Sequence, residues 1–197
     1  AMLWVSSLWT ATSGIGCSPT VPPPPKWPTL TAADVADRAL QEFDANHDGK
    51  LDATELKQAP GLRAALATMD SNHDGVLTRE EIVARVGKWL ESPQSVAARR
   101  VSVFLDDQPL DGATVTFEPE KCMGPDYQPC TGVSKGGRCL PQGSNSDHAG
   151  LYVGLYRVRV SKQVDGKETI PARYNTQTEL GLEAAPDVPA AIHLTSQ

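Results

Sequence analysis

No stretch of this sequence is both basic and clustered. Its 18 Lys and Arg face 24 Asp and Glu, for a net charge of −6, and that balance excludes the electrostatic footprint of a nucleic-acid binder. No apolar run is long enough to span a bilayer. The G-x-S-x-G elbow and the H-E-x-x-H helix are both missing, so two common hydrolase signatures are excluded. Cysteine is scarce, with four in 197 residues. Cys122, Cys130 and Cys139, with His148, lack the tight C-x₂₋₄-C spacing of a zinc site. Ser144, Asp147 and His148 lie close together, but on a Gly/Asn/Ser-rich stretch that reads as a solvated loop rather than a triad. What remains is a binding or structural role for a chain long enough for one or two domains.

Against these absences stands a repeat. "DANHDGKLDATE" runs from Asp44 to Glu55, and "DSNHDGVLTREE" follows twenty-six residues later from Asp70 to Glu81. Each has glycine at its sixth place, where a residue without Cβ takes positive φ cheaply. Oxygen-bearing side chains fall on alternate positions around it: Asp44, Asn46, Asp48 and Asp52 in the first, Asp70, Asn72, Asp74 and Thr78 in the second. Glu55 and Glu81 close the two dodecamers.

This pattern resembles a paired EF-hand over about residues 31–91. Such loops offer a hard cation roughly 6–8 oxygens from positions 1, 3, 5, 7, 9 and 12. The resemblance therefore implies Ca²⁺ held by Asp44, Asn46, Asp48, Lys50, Asp52 and Glu55, and by Asp70, Asn72, Asp74, Val76, Thr78 and Glu81. Lys50 and Val76 at position 7 give only a backbone carbonyl, and Thr78 at position 9 reaches the ion through water. His47 and His73 sit at position 4 and are read as solvent-facing, not as zinc ligands. Leu51 and Leu77 at position 8 suit a short pairing of one loop with the other. Loop one places four carboxylates on ligand positions and loop two places three, so loop one is expected to bind more tightly.

Helices should flank the loops. "TAADVADRALQEF" opens on Thr31 with Asp34 three places on, a capping-box-like start, and Val35, Ala39, Leu40 and Phe43 recur at helical spacing. Ile82, Val83, Val86, Trp89 and Leu90 form another apolar stripe, which ends before Pro93. Between the loops, Pro60 disfavours helix at Ala59 and predicts two helices of about two turns each. No Met-rich groove is present, so a calmodulin-type grip on a target is not expected. Residues 31–92 hold 12 acidic and 7 basic residues, a net of −5, which concentrates the acidity in the cation-binding half.

The first thirty residues differ again. "MLWVSSLWTATSGIGC" is apolar and ends in small residues before Cys17, and "SPTVPPPPKWP" is a proline-rich, extended tether. The arrangement resembles a bacterial lipoprotein signal with Cys17 as the acylated residue. No Lys or Arg precedes the apolar stretch, as expected if the natural start lies further upstream. If Cys17 is lipidated, three cysteines remain, of which two can pair; otherwise four allow two bridges.

From Arg100 the period changes to two. Val101, Val103 and Leu105 alternate, Asp106-Asp107 turns, and Val115 and Phe117 alternate again. In "GLYVGLYRVRVSK", Tyr156, Val158 and Val160 alternate against Leu155, Arg157 and Arg159, as in a half-buried strand. Asp165-Gly166 marks a turn, and "AAIHLTS" is a last short strand. "DDQPLDGATVTFEPE", "GLYVGLYRVRVSK" and "GKETIPARYNTQTEL" resemble the transthyretin-like or carboxypeptidase-regulatory-like domain of bacterial envelope lipoproteins, which is non-catalytic. "TGVSKGGRCLPQGSNSDHAG" departs from that pattern and is expected to be a long, poorly ordered loop. Arg173 and Tyr174 are read as packing at a strand end rather than as ligand-binding residues.

The expected fold is thus α+β in two modules: a leader and tether over 1–30, a helical EF-hand pair over 31–92, and an antiparallel β-sandwich over 99–197. The expected function is Ca²⁺ binding by an exported, lipid-anchored, non-catalytic protein of the bacterial cell envelope, structural or adhesive in role. Its expected partners are calcium ions and an envelope protein or polysaccharide. The alternatives are a carbohydrate- or protein-binding module rigidified by calcium, or an accessory subunit of an envelope enzyme.

Overall fold

The computed structural model describes residues 29–92, 99–143 and 149–197. Cys17, the leader and the Ser144, Asp147 and His148 group lie outside the described residues. Thr31 starts the first helix by accepting the Asp34 amide on its side chain at 3.1 Å, and α1 follows over Ala32–Phe43. The first loop carries strand β1, Lys50–Leu51. The split expected at Pro60 is present but uneven: Glu55–Gln58 is a single 3₁₀ turn, while α2, Pro60–Met69, has ten residues and begins on the proline. Proline suits that first helical position, where its missing N–H costs nothing. The second loop carries β2, Leu77–Thr78, and leads into α3, Arg79–Glu91.

The second half forms two sheets. Strands β3 (Val101–Leu105), β4 (Gln108–Pro109), β5 (Thr114–Pro119), β6 (Cys130–Val133), β7 (Arg138–Cys139) and β8 (Gln142–Gly143) come first. Strand β9 (Gly154–Ser161), the hairpin β10 (Gln163–Val164) and β11 (Lys167–Glu168), then β12 (Gly181–Ala184) and β13 (Ala191–Leu194) complete them. The larger sheet runs β12-β9-β5-β6-β8, and the smaller runs β13-β3-β4 with β7 also paired to β3. The Asp106-Asp107 turn is confirmed, with both residues at positive φ, as a tight two-residue hairpin requires.

Two expectations need correction. The sandwich is not wholly antiparallel, because β13 pairs parallel to β3, Ile192 opposite Val103. The chain crosses from β12 in the larger sheet to the smaller one instead of turning back as a hairpin. The stretch expected as one long loop over 131–150 contains most of β6 and all of β7 and β8. Gly136 and Gly137, at φ 57° and 71°, turn the chain tightly enough for Lys135 and Arg138 to bridge.

Val101, Val103, Val115, Phe117, Tyr156, Val158 and Val160 are all buried, the alternation expected of sheets packed face to face. Leu155 breaks the expected half-buried pattern of β9. It belongs to the face with Arg157 and Arg159, yet it is fully buried, because α2 lies on that face. A Cβ on Gly61 would stand 2.8 Å from the Tyr156 nitrogen and 3.1 Å from the Leu155 carbonyl carbon. Helices and sheets consequently share one continuous apolar cluster, from Val35 and Leu62 through Ile82 to Phe117 and Leu182.

Candidate metal centre

Each loop begins where a helix ends. Asp44 caps the C-terminus of α1 and Asp70 that of α2. Their carboxylates then order the chain that follows. Asp44 accepts the Asp48 amide at 3.2 Å and the Gly49 amide at 2.9 Å; Asp70 accepts those of Asp74 and Gly75 at 3.2 and 2.8 Å. Asn46 accepts from Asp48 at 2.8 Å and Asp48 from Lys50 at 3.0 Å. Asn72 and Asp74 repeat these bonds to Asp74 and Val76 at 3.0 and 3.1 Å.

The turn needs two left-handed residues per loop, not one. Gly49 and Gly75 lie at φ 82° and 84°, as expected, but His47 and His73 lie at 61° and 60°. Both histidines are exposed, so they serve the turn's backbone and keep their rings in solvent. The sequence carried no strong signal for that second position.

The closing glutamates differ in how they are supported. Glu55 accepts the Ala45 amide at 2.8 Å and the Asp52 amide at 2.9 Å, while Asp52 accepts from Thr54 and Glu55 at 2.7 and 2.9 Å. Glu81 accepts the Ser71 amide at 3.0 Å and both the amide and hydroxyl of Thr78 at 3.0 and 2.8 Å. Thr78 and Glu81 form a reciprocal capping box at the start of α3, which ties the ninth and twelfth positions of loop two to helix initiation. Burial alone would push the Glu81 carboxyl up; the bonds from Thr78 and Ser71 outweigh it and hold it below the ordinary carboxylate range. Strands β1 and β2 pair Lys50 with Thr78 and Leu51 with Leu77, and both leucines are fully buried, as their position 8 implies.

The donor set suits a hard cation. Every polar side chain on a ligand position of either loop, Lys50 apart, offers oxygen, and position 7 offers a backbone carbonyl. Asp44, Glu55, Asp70 and Glu81 are only 5–8% exposed, and no Lys or Arg pairs with them among the described residues. Buried carboxylates are costly without a cationic partner. Their oxygens are engaged by loop amides, and among the described residues no three or more His, Cys, Asp or Glu side chains are gathered tightly enough to hold an ion by themselves.

Two helix–loop–helix units joined by a short β pairing define an EF-hand pair. The EF hand family model matches residues 35–59 and 62–86, one match on each unit, and covers the helical half alone. EF-hand domains bind Ca²⁺, and Ca²⁺ is the cofactor of this pair. Neither a curated protein nor a solved structure matches the chain.

Other candidate residues are placed differently. Cys122, Cys130 and Cys139 are unpaired and buried; burial pushes the Cys130 thiol up to about 12 and Cys139 to about 11, so neither is a reactive thiolate at neutral pH. Arg173 sits over the Tyr174 ring at 4.8 Å, and both bond Thr195, in keeping with packing at the chain's last strand.

Sequence reading missed the residues that join the halves. Arg85 is buried on α3 and pairs with Glu183 at 2.7 Å and Asp187 at 2.7 Å. Glu120 is buried and accepts the Gly61 amide at 2.7 Å. Burial raises its carboxyl above the ordinary range, although the Gly61 amide and Arg157 pull the other way.

Proposed function

We propose that this is a non-catalytic Ca²⁺-binding protein exported to the bacterial cell envelope, in which calcium sets the helical half against a β-sandwich. The observation that carries this reading is the pair of loops, each with a buried carboxylate at its first and twelfth places that no Lys or Arg pairs with among the described residues. The ligands are Asp44, Asn46, Asp48, the Lys50 carbonyl, Asp52 and Glu55 in loop one. In loop two they are Asp70, Asn72, Asp74, the Val76 carbonyl, Thr78 and Glu81. The role is structural or adhesive, toward an envelope protein or polysaccharide. The motifs of the second half support a transthyretin-like or carboxypeptidase-regulatory-like sandwich. The small residues before Cys17 and the proline tether after it support lipid anchoring there.

The test is calorimetric titration of the full chain with Ca²⁺. Two ions per chain are expected, one for Asp44→Ala and one for Asp70→Ala. A heat signal that survives in the double variant would refute the assignment. For export, the Cys17→Ser protein is expected to leave the membrane fraction that holds the wild type; identical cytoplasmic behaviour of the two would remove that part.

A further inference from the structure

Loop two is bracketed by a single carboxylate from the other half of the chain. Glu183, on β12, is 4% exposed and projects from the face on which α2 lies. One of its oxygens accepts the Thr68 hydroxyl at 2.6 Å. The other accepts Arg85 Nε at 2.7 Å and the Trp89 indole N–H at 3.1 Å. Thr68 stands two residues before Asp70, on the helix that enters loop two. Arg85 and Trp89 stand four and eight residues after Glu81, on one face of the helix that leaves it. The remaining guanidinium nitrogens of Arg85 take Asp187 bidentately at 2.7 and 2.9 Å.

Among the described residues loop one has no such bracket. The residue two before Asp44 is Glu42, which meets Lys121 at the surface, and the residue four after Glu55 is Ala59.

We propose that Glu183 is a positioning residue for the second calcium site. The proposal rests on the reading of both loops as Ca²⁺ sites. In EF-hands that open on binding, calcium changes the angle between the entering and leaving helices. Here one carboxylate bonds both helices and fixes that angle, which places Asp70 and Glu81 at the two ends of a preset loop. A preset site spends less of its binding free energy on reorganisation, so Glu183 raises the affinity of loop two and leaves loop one unaffected. It also keeps α2 packed on β12, where Gly181 meets Pro60, rather than free for a separate target.

The experiment is a Ca²⁺ titration of the full chain followed by NMR at the Gly49 and Gly75 amides. These amides bond Asp44 and Asp70, so each reports one loop. Glu183→Ala is expected to weaken the Gly75 isotherm about tenfold, within the usual span of site coupling, with the Gly49 isotherm moving less than about twofold. Because Glu183→Ala leaves Arg85 short of a buried partner, a near-isosteric Thr68→Val variant is titrated beside it. That variant removes the bond from α2 to Glu183 and keeps those from Arg85 and Trp89. It is expected to weaken Gly75 alone, about fivefold, and it decides the matter if Glu183→Ala does not fold. An unchanged or tighter Gly75 isotherm in a folded variant overturns the proposal, as does equal weakening at both glycines. A wild-type chain that binds no calcium at either amide overturns the Ca²⁺ reading itself and the proposal with it.

Discussion

Loop one leaves through a 3₁₀ turn of four residues, whereas loop two leaves through a helix of thirteen, capped by its own ninth and twelfth residues. Their internal bonds are nearly identical, Asp44 and Asp70 each taking the amides of the fifth and sixth residues. The loops therefore owe their shape to local sequence and their differences to attachment. Loop one has more carboxylates on ligand positions; loop two has the longer helix and is fastened by α2, α3 and Glu183 to the sheet. Equal dodecamers need not make equal sites when the helices around them are held differently.

The largest effect should come from breaking that attachment. A Cβ on Gly181 would stand 1.7 Å from the Pro60 carbonyl oxygen and 2.2 Å from its carbon, so the contact is backbone against backbone and no rotamer can relieve it. Gly181→Ala is expected to cost about 3 kcal/mol, the upper part of the overpacking range, which for a chain of this size lowers Tm by roughly 10 °C. Thermal unfolding with calcium and with chelator measures it. If docking is what distinguishes the loops, the variant's loop two should also lose affinity. A Tm unchanged by Gly181→Ala would show that α2 does not rest on β12.

That contact marks where sequence reasoning stopped. The loops were legible because their information is local: twelve residues, a glycine, and oxygens at fixed places. The strands around Val115 and Val158 were legible through alternation. Pro60 was legible as a helix boundary. The docking was not, because Gly181 and Glu183 lie more than ninety residues from Pro60, Thr68, Arg85 and Trp89. The run "LGLEAAP" looks like an ordinary short strand. Leu155 sits in a strand whose alternation predicts half burial, and nothing nearby announces that a helix covers it. The turn at Gly136 and Gly137 is not legible in the sequence, because glycine suits a loose loop as readily as a tight turn.

The second effect compares the closing glutamates directly. Loss of a residue that merely orients a ligand commonly costs about 10–100-fold in metal affinity, so Glu55→Gln and Glu81→Gln should each cost at least that at their own loop. Four carboxylates against three should put loop one ahead in the wild type, and Glu55→Gln should then abolish the tighter calorimetric step. If Glu81→Gln abolishes it instead, attachment outweighs charge and the ranking reverses.

A smaller effect depends on pH. Glu120 has its carboxyl raised, burial being the main cause. For a group raised on folding, its favourable contribution is complete below the unfolded value and is lost as pH rises through the folded one. The neutral acid is thus the better occupant of the α2–sheet junction, where it meets the Gly61 amide. Glu120→Gln keeps an acceptor for that amide and removes the titration. The variant should gain stability relative to wild type as pH rises from about 4 toward neutrality, and chemical denaturation across that range reads the difference. A constant gap between the two proteins at every pH would show that Glu120 does not titrate with folding.

The smallest effect is expected where the geometry looks strongest. Arg79 Nε meets Asp37 at 2.6 Å, tying the first turn of α3 to α1 and so one hand to the other. The guanidinium holds the Asp37 carboxyl below its ordinary range, which by linkage would add stability above the unfolded value and lose it as pH falls through the folded one. Yet the side chains are 41% and 58% exposed, and water and salt screen an exposed pair until little net stabilisation remains. Arg85, by contrast, is 6% exposed and its partner Glu183 3%, where removal of one partner strands a buried charge. Asp37→Asn should therefore leave Tm within experimental error and leave both calcium isotherms in place. A clear, salt-sensitive fall in Tm would show that the hands are joined at their surface as well as through the sheet beneath them.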